Sequence, residues 1–412
     1  MLKPDAQDFV MERLTARREW LRVAVVTETY PPEINGVSLS LARVVEQLHS
    51  RNHDIQLFRP RQGAHDAADR EARFTEVLVR GVPVPKYPSL RMGLPSKRTL
   101  VKLWSLHRPD VVHIATEGPL GWSALQAAAV LKLPVTSDFR TNFDTYSRHY
   151  GLGWLHKPVA AYLRKFHNRT QCTMVPTQSL KAELASRGYR NLEVVMRGVD
   201  TERFHPARRS EALRASWGVS PDQCVVACVS RLAPEKNIAL VVRAYEEARR
   251  VDTRVRLLLV GDGPHRAELQ RLCPTAIFAG ERRGNDLADH YASADVFAFA
   301  SLSETFGNVV PEAMASGLPV VAFDHAAAAE LLVDQVNGIK VHAQEEARFT
   351  EAVRKLCSDV DLRHRLAQRS LETARTMDWN SIGAQFESVL ARVVREHAAM
   401  SDLAFSDAAL AR

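Results

Sequence analysis

DVFAFASLSETFGNVVPEA, residues 295–313, passes from one kind of structure into another. DVFAFA (295–300) is an apolar, aromatic run of strand length. Gly307 supplies a turn and Asn308 a good helix N-cap. Pro311 fits only near the start of a helix. A buried strand, a loop and a helix in that order is the unit of a parallel sheet covered by helices. The same stretch carries two carboxylates, Glu304 and Glu312. Glu304 falls on the loop leaving the strand. Glu312 falls in or just beyond the first helical turn, so both aim toward the strand's C-terminal end. Between them the N–H groups of Gly307, Asn308 and Val309 can donate to an anion or a hydroxyl.

The same alternation runs outward from this segment. LRVAVVT (21–27), DIQLF (54–58), DVVHIA (110–115), PVTSDF (134–139) and CTMVP (172–176) read as strands, with amphipathic stretches at 37–50, 119–131 and 157–168. The pattern restarts with CVVACVS (224–230), VRLLLVG (255–261), AIFAG (276–280), DVFAFA (295–300) and LPVVAF (318–323). Helices fill the gaps at about 236–250, 264–272, 286–293 and 309–316. Two α/β, Rossmann-like doubly wound domains facing a cleft are expected, with ligands at the strand C-termini. The expected divisions are a lead over 1–20, a first domain over 21–200, a second over 201–378 and a final amphipathic helix over 379–412.

Length and composition agree with two domains: 412 residues, 46% of them apolar. No apolar run approaches the ~18 residues that span a bilayer, and the polar N-terminus is not expected to be a secretory signal. The five cysteines lack zinc spacing, and Cys224 and Cys228 sit inside an apolar run as buried thiols. A reducing cytoplasm fits them. Charge is uneven. Residues 1–200 hold 29 Lys and Arg against 19 Asp and Glu, and residues 201–412 hold 26 against 29. No acid lies between Glu76 and Asp110, where Lys86, Arg91, Lys97, Arg98, Lys102 and Arg108 alternate with Tyr87, Met92, Leu94 and Trp104. A second acid-free stretch, 148–181, holds Trp154, Lys157, Tyr162, Arg164, Lys165 and Arg169. Such a surface suits an anionic membrane face; a merely solvated basic surface is the plain alternative. Nucleic acid is not expected as a partner, because no nucleic-acid motif accompanies the charge.

Three further segments carry chemistry. TETYPPEINGVSLSLARVV (27–45) is an irregular loop ending at Asn35-Gly36 before a helix. Positive φ at Gly36 and the helix N-terminus behind it would let a diphosphate dock, although an ordinary strand–helix turn reads the same way. VSRLAPEKNI (229–238) puts Arg231 and Lys236 at a strand C-terminus, where a guanidinium fork and an ammonium suit phosphate oxygens. A lysine near a helix N-terminus opposes the dipole unless an anion bridges them. LLLVGDGPHRAEL (257–269) has glycines for a tight turn and Pro264 to open the next helix. Paired carboxylates beside paired cations would hold a nucleotide-sugar, one acid for each sugar.

Together, Glu304 and Glu312 in SETFGNVVPEAMASGLPVVA (303–322), Arg231, Lys236, the Asn35-Gly36-Val37 loop, GVDTERFHP (198–206) and YASADVF (291–297) resemble the retaining glycosyltransferases of family 4, over about residues 20–395. The resemblance implies the GT-B fold and metal-independent hexosyl or uronosyl transfer from a UDP- or GDP-linked sugar, with no cofactor beyond that donor. By position, Arg231 and Lys236 would hold the diphosphate, Glu304 the donor sugar and Glu312 the ribose. The amides around Phe306, Gly307, Asn308, Val309 and Gly36 would complete the cradle, and Glu281 in FAGERRG would lie by the base. The final helix would cross back to the first domain. One departure stands out: Phe139-Arg140-Thr141 replaces a common Phe-His-Thr. Arg140 would set a permanent cation near the donor and would suit an acidic sugar such as a glucuronate or sulfoquinovose. RTNFDTYSRHYGLGW (140–154) resembles lipid-directed members. A membrane lipid acceptor such as diacylglycerol, reached from the inner face of the cell membrane, is therefore expected. Polysaccharide assembly on a soluble or polyprenyl-linked acceptor, and a basic non-catalytic scaffold, are the competing readings. An NAD enzyme lacks its glycine fingerprint here.

Overall fold

In a computed structural model, residues 20–33, 35–63, 65–84, 87–140 and 156–410 are described. The expected lead before residue 20, the 141–154 segment, Lys86, Arg148 and Trp154 lie outside them.

Each strand run read from the sequence is a strand. The first sheet has eight strands in the order Leu192–Val194, Cys172–Val175, Val135–Asp138, Val111–Ile114, Arg22–Val26, Asp54–Pro60, Phe74–Val79 and Arg70–Glu71. All neighbours are parallel except the last pair. The second sheet is parallel throughout, in the order Ile277–Gly280, Arg256–Val260, Val225–Val229, Val296–Phe299, Val320–Phe323 and Ile339–Val341. Of the strands that the sequence did not announce, Leu192–Val194 and Ile339–Val341 are short and sit at sheet edges, while Phe74–Val79 has six residues and pairs on both sides. An antiparallel ribbon, Gly81–Val84 with Tyr87–Gly93, also went unread.

Central strands are buried on both faces because helices cover both. Val225–Val229 and Val296–Phe299 are buried at every position, and so is Val111–Ile114. That explains their unbroken apolar runs. The chain crosses between the sheets twice, and the crossings lie side by side. Val199 bridges Asp378, and the Val199 amide donates to the Met377 carbonyl at 2.9 Å. A Cβ on Gly198 would lie 2.7 Å from the Trp379 ring, so glycine lets the second crossing pack on the first. The last helix, Trp379–Leu410, then packs against the first sheet. Phe386, Val389, Leu390 and Val393 join its core, and Arg51 and His53 both meet Glu387.

Aromatic residues in the basic stretch are not all surface residues. Trp104 and Leu100 are fully buried, with Trp104 edge-on to Phe58 at 5.7 Å. Lys97, Arg98, Lys102 and Arg108 point outward. Tyr162 is partly exposed, and Arg169 stacks over Trp122 at 5.3 Å. The thiols of Cys172, Cys224, Cys228 and Cys273 are free and buried. No helix among the described residues is long and apolar enough to cross a membrane.

Arg214 is the largest charge in the interior. It has no exposure, and its Nη1 donates to the Ser293 carbonyl at 2.8 Å and to Asp295 Oδ2 at 3.0 Å. Its Nη2 donates to the Ser220 and Gln223 carbonyls. Asp295 also accepts from the Val225 amide, at the head of a central strand. Removing the cation leaves a buried carboxylate and three carbonyls short of a donor. Arg214→Ala is expected to cost about 3–5 kcal/mol of unfolding free energy. Urea denaturation checks this, and a loss below ~1 kcal/mol would contradict the assignment.

Candidate active site

In each sheet the strand order reverses at one place. In the second sheet it reverses between Val225–Val229 and Val296–Phe299, and in the first between Arg22–Val26 and Val111–Ile114. The loops leaving such a pair of strands diverge to opposite faces and open a crevice at their C-terminal ends.

Lys236 and Glu304 leave the two strands that flank the reversal in the second sheet. Lys236 ends a 3-10 turn, Pro234–Lys236, just ahead of the helix Ile238–Val251. Its Nζ is in direct contact with Glu304 Oε1, and both side chains are only 16% exposed. Ser301 Oγ donates to the same oxygen at 2.9 Å, and the Leu302 amide donates to the Glu235 carbonyl, locking the two loops together. The Glu304 amide donates to His325 Nε2 at 3.2 Å. Gly307 is at φ +87°, and this left-handed turn folds the loop back beside Glu304.

Arg231 contacts Glu235 and is about half exposed. Its loop rests on the Gly261-Asp262-Gly263 turn: the Leu232 amide donates to the Asp262 carbonyl at 2.9 Å. A Cβ on Gly261, at φ +132°, would lie 1.9 Å from the Ser230 carbonyl oxygen. The glycine is therefore what lets the arginine loop approach.

Glu312 lies in the first turn of the helix Val309–Ala315 and accepts from the buried Tyr291 hydroxyl at 3.0 Å. Burial pushes its pKa up to about 7, while the Tyr291 hydroxyl and the Arg203 charge pull it back part of the way. Asn308 precedes this helix as expected, yet its side chain makes no capping bond and its buried Oδ1 has no partner among the described residues. The Phe306 ring is in the core, so only its backbone faces the loop, and its carbonyl accepts from Ala327. Glu281 is exposed, paired with Arg283, on the loop next to Gly261.

On the first sheet's side, Gly36 begins the helix Gly36–Ser50. Its φ is not positive, contrary to the sequence reading; among the described residues no atom lies within 4 Å of a Cβ built there. Asn35 Oδ1 accepts from the Val37 and Ser38 amides, which takes up two donors of that helix end. Arg140 is buried, its Nε donates to Asp138 at 2.6 Å, and its Nη1 donates to Ser40 Oγ at 2.6 Å. The sequence suggests a bare cation here; the structure supplies its counter-charge two residues earlier, at the end of the strand Val135–Asp138. That partner holds the Asp138 carboxyl far below the usual range despite burial. His113 is in the core, against Thr136 and edge-on to Phe386.

Two groups escaped the sequence reading. Glu28, after the first strand, is half-buried and accepts from the Gly93 and Leu120 amides, and burial pushes its pKa up to about 7. Arg197 stands over the Phe306 ring at 6.0 Å, directly before the Gly-Val-Asp of the crossing. Nothing in the local sequence marks either one.

The chain is similar to known proteins in sequence and fold. A family model described as "Glycosyltransferase Family 4" matches residues 34–203, and one described as "Glycosyl transferases group 1" matches 223–359. A GDP-mannose-dependent alpha-mannosyltransferase of Mycobacterium tuberculosis (strain CDC 1551 / Oshkosh) is 37% identical over 85% of this chain and 91% of its own. An alpha-monoglucosyldiacylglycerol synthase of Streptococcus pneumoniae is 24% identical over 79% and 76%. Among solved structures, the sucrose-phosphate synthase of Thermosynechococcus elongatus superposes with a TM-score of 0.70, at 17% identity, covering 91% of this chain and all of its own. Anabaena HepE in complex with UDP-glucose does so with 0.68 at 20% identity, covering 90% and 99%. The two facing sheets are those of the GT-B fold, and the chain belongs to glycosyltransferase family 4, enzymes that transfer a sugar from a nucleotide-sugar.

Proposed function

We propose that this enzyme transfers a hexosyl group, with retention, from GDP-mannose or a related UDP- or GDP-linked sugar to a membrane lipid acceptor such as a diacylglycerol derivative. One observation carries the donor half: Lys236 and Glu304 meet where the strand order of the second sheet reverses. The names of the relatives support the rest: GDP-mannose-dependent mannosyltransferases, and synthases of glucosyldiacylglycerol.

In this reading Arg231 and Lys236 hold the donor diphosphate. As the glycosidic bond breaks, negative charge builds on the leaving β-phosphate. Cations fixed in advance stabilise that charge more than they stabilise the ground state, which lowers the barrier. Glu304 takes donor-sugar hydroxyls, and Lys236 neutralises it. Glu312 takes the ribose. The amides of Gly36, Phe306, Gly307, Asn308 and Val309 and the Glu281 loop complete the donor cradle, without metal. Attack occurs on the face the diphosphate leaves, and the departing phosphate accepts the acceptor's proton. Arg140, balanced by Asp138, acts as a wall of the cleft and supplies hydrogen bonds more than net charge. The outward Lys97, Arg98, Lys102, Lys157, Arg164 and Lys165 suit an anionic cytoplasmic leaflet.

Glu304→Gln removes the negative partner of Lys236 and an acceptor of sugar hydroxyls. It should lower kcat about 10²–10³-fold with little change in melting temperature. Full turnover in this variant would sink the donor assignment. Mass analysis of products from GDP-mannose and UDP-glucose with extracted lipids identifies the acceptor. Flotation with anionic liposomes, reversed by salt, is the expected companion result; products only on soluble or polyprenyl-linked acceptors would favour polysaccharide assembly.

Glu312 gives a pH test. Its carboxyl holds a proton in the folded chain between pH 4.5 and about 7, where the unfolded chain has already released it. The folded state then binds more protons, so this group's contribution to stability falls as pH rises through that window. Glu312→Gln removes the dependence. Between pH 5 and 8 the variant should gain on the order of 2 kcal/mol relative to wild type. Parallel stability curves would show that the carboxyl titrates normally.

A further inference from the structure

Among the described residues, three cations of the cleft already have carboxylates. Arg140 contacts Asp138, Arg231 contacts Glu235 and Lys236 contacts Glu304. Arg197 has none within ion-pair distance among the described residues. Its Nη2 donates to the Arg140 carbonyl at 3.4 Å, and its guanidinium lies over Phe306. It also lines a cavity of about 30 Å³ with Ser40, Asp138, Arg140, Pro176 and Trp379, room for one or two waters. Asp138 and Glu304 act on it only from beyond contact range, and burial together with the Arg140 charge pushes its pKa down to about 10. A guanidinium at this pKa remains charged at neutral pH. It is therefore a largely desolvated charge, and the neighbouring charge that acts on it most strongly is another cation, Arg140. Such a group is costly to keep unless an anion shares the site.

Its position says which anion. Arg197 belongs to the first crossing, and the Phe306 it covers is two residues from Glu304 on the opposite side of the cleft. We infer that Arg197 is the donor's third phosphate ligand, binding non-bridging oxygens of the terminal phosphate of the nucleoside diphosphate from the side opposite Arg231 and Lys236. The inference rests on the donor reading above and adds to it a specific contact from the first half of the chain. A guanidinium offers paired donors to two oxygens of one phosphate, which suits a group whose charge grows as the sugar leaves. The carboxylates beside Arg140, Arg231 and Lys236 offset those cations, so Arg197 leaves one uncompensated positive charge to face the negative diphosphate.

Isothermal titration of wild type, Arg197→Gln and Arg197→Lys with GDP, UDP, GMP and UMP tests this. Wild type should bind one diphosphate much more tightly than its monophosphate. R197Q should lose at least about tenfold in diphosphate affinity and keep its monophosphate affinity, which also certifies its fold. R197K should fall between the two. An unchanged diphosphate-to-monophosphate ratio in R197Q overturns the inference and leaves the donor reading standing. Equal losses for both nucleotides overturn it as well, because a purely structural residue would act that way. Should R197Q not fold, R197K decides: diphosphate binding equal to wild type overturns the inference. Wild type binding neither diphosphate would remove the donor reading itself.

Discussion

Because all strands of the second sheet are parallel, every loop that follows a strand leaves the same edge. The sheet is built outward from Val225–Val229 in one direction and from Val296–Phe299 in the other. Helices on opposite faces pull the two following loops apart, and polar groups placed there meet without crossing the core. Lys236 and Glu304, 68 residues apart in sequence, come into contact for this reason. The first sheet repeats the device at Arg22–Val26 and Val111–Ile114, where the Glu28 amide donates to Thr116 Oγ1. Two such edges facing one another make a cleft whose walls are loops on rigid strands.

Much of this was legible. Within CVVACVS and DVFAFA the strands Val225–Val229 and Val296–Phe299 are apolar at every position because both sheet faces are covered, and no amphipathic alternation competes with that reading. The spacing of Glu304, Gly307, Asn308 and Pro311 fixed the loop and helix boundary. What stayed hidden was of two kinds. Edge strands such as Leu192–Val194 are short and half-buried, so their composition resembles a loop. Tertiary counter-charges also leave little trace. Asp138 could have been noticed, since residues two apart on an extended chain share a face. The lack of a partner for Arg197 could not, because a missing contact has no sequence signal.

The basic first half shows the same limit. Sequence alone presents Trp104 and the surrounding lysines as one mixed surface. The helix Lys97–Leu106 separates them: Leu100 and Trp104 turn inward, while Lys97, Arg98 and Lys102 turn out. The aromatic residue stabilises the fold, and the cations remain available to an anionic partner. Charge count and apolar count in a segment therefore describe two different faces, and only the helical period tells them apart.

The crossings connect the cleft to the rest of the molecule. Gly198 admits Trp379, Val199 pairs with Asp378, and Asp200 accepts from Arg43 of the first helix at 2.6 Å. Arg197 is the next residue back. A side chain on a segment pinned at three successive positions cannot retreat into solvent to lower its own electrostatic energy. The backbone that joins the two sheets thus fixes where that positive charge stands, opposite the loop of Glu304. Packing at the crossing and charge in the cleft are consequently not separable properties: a substitution that loosened Trp379 from Gly198 would move the guanidinium as well.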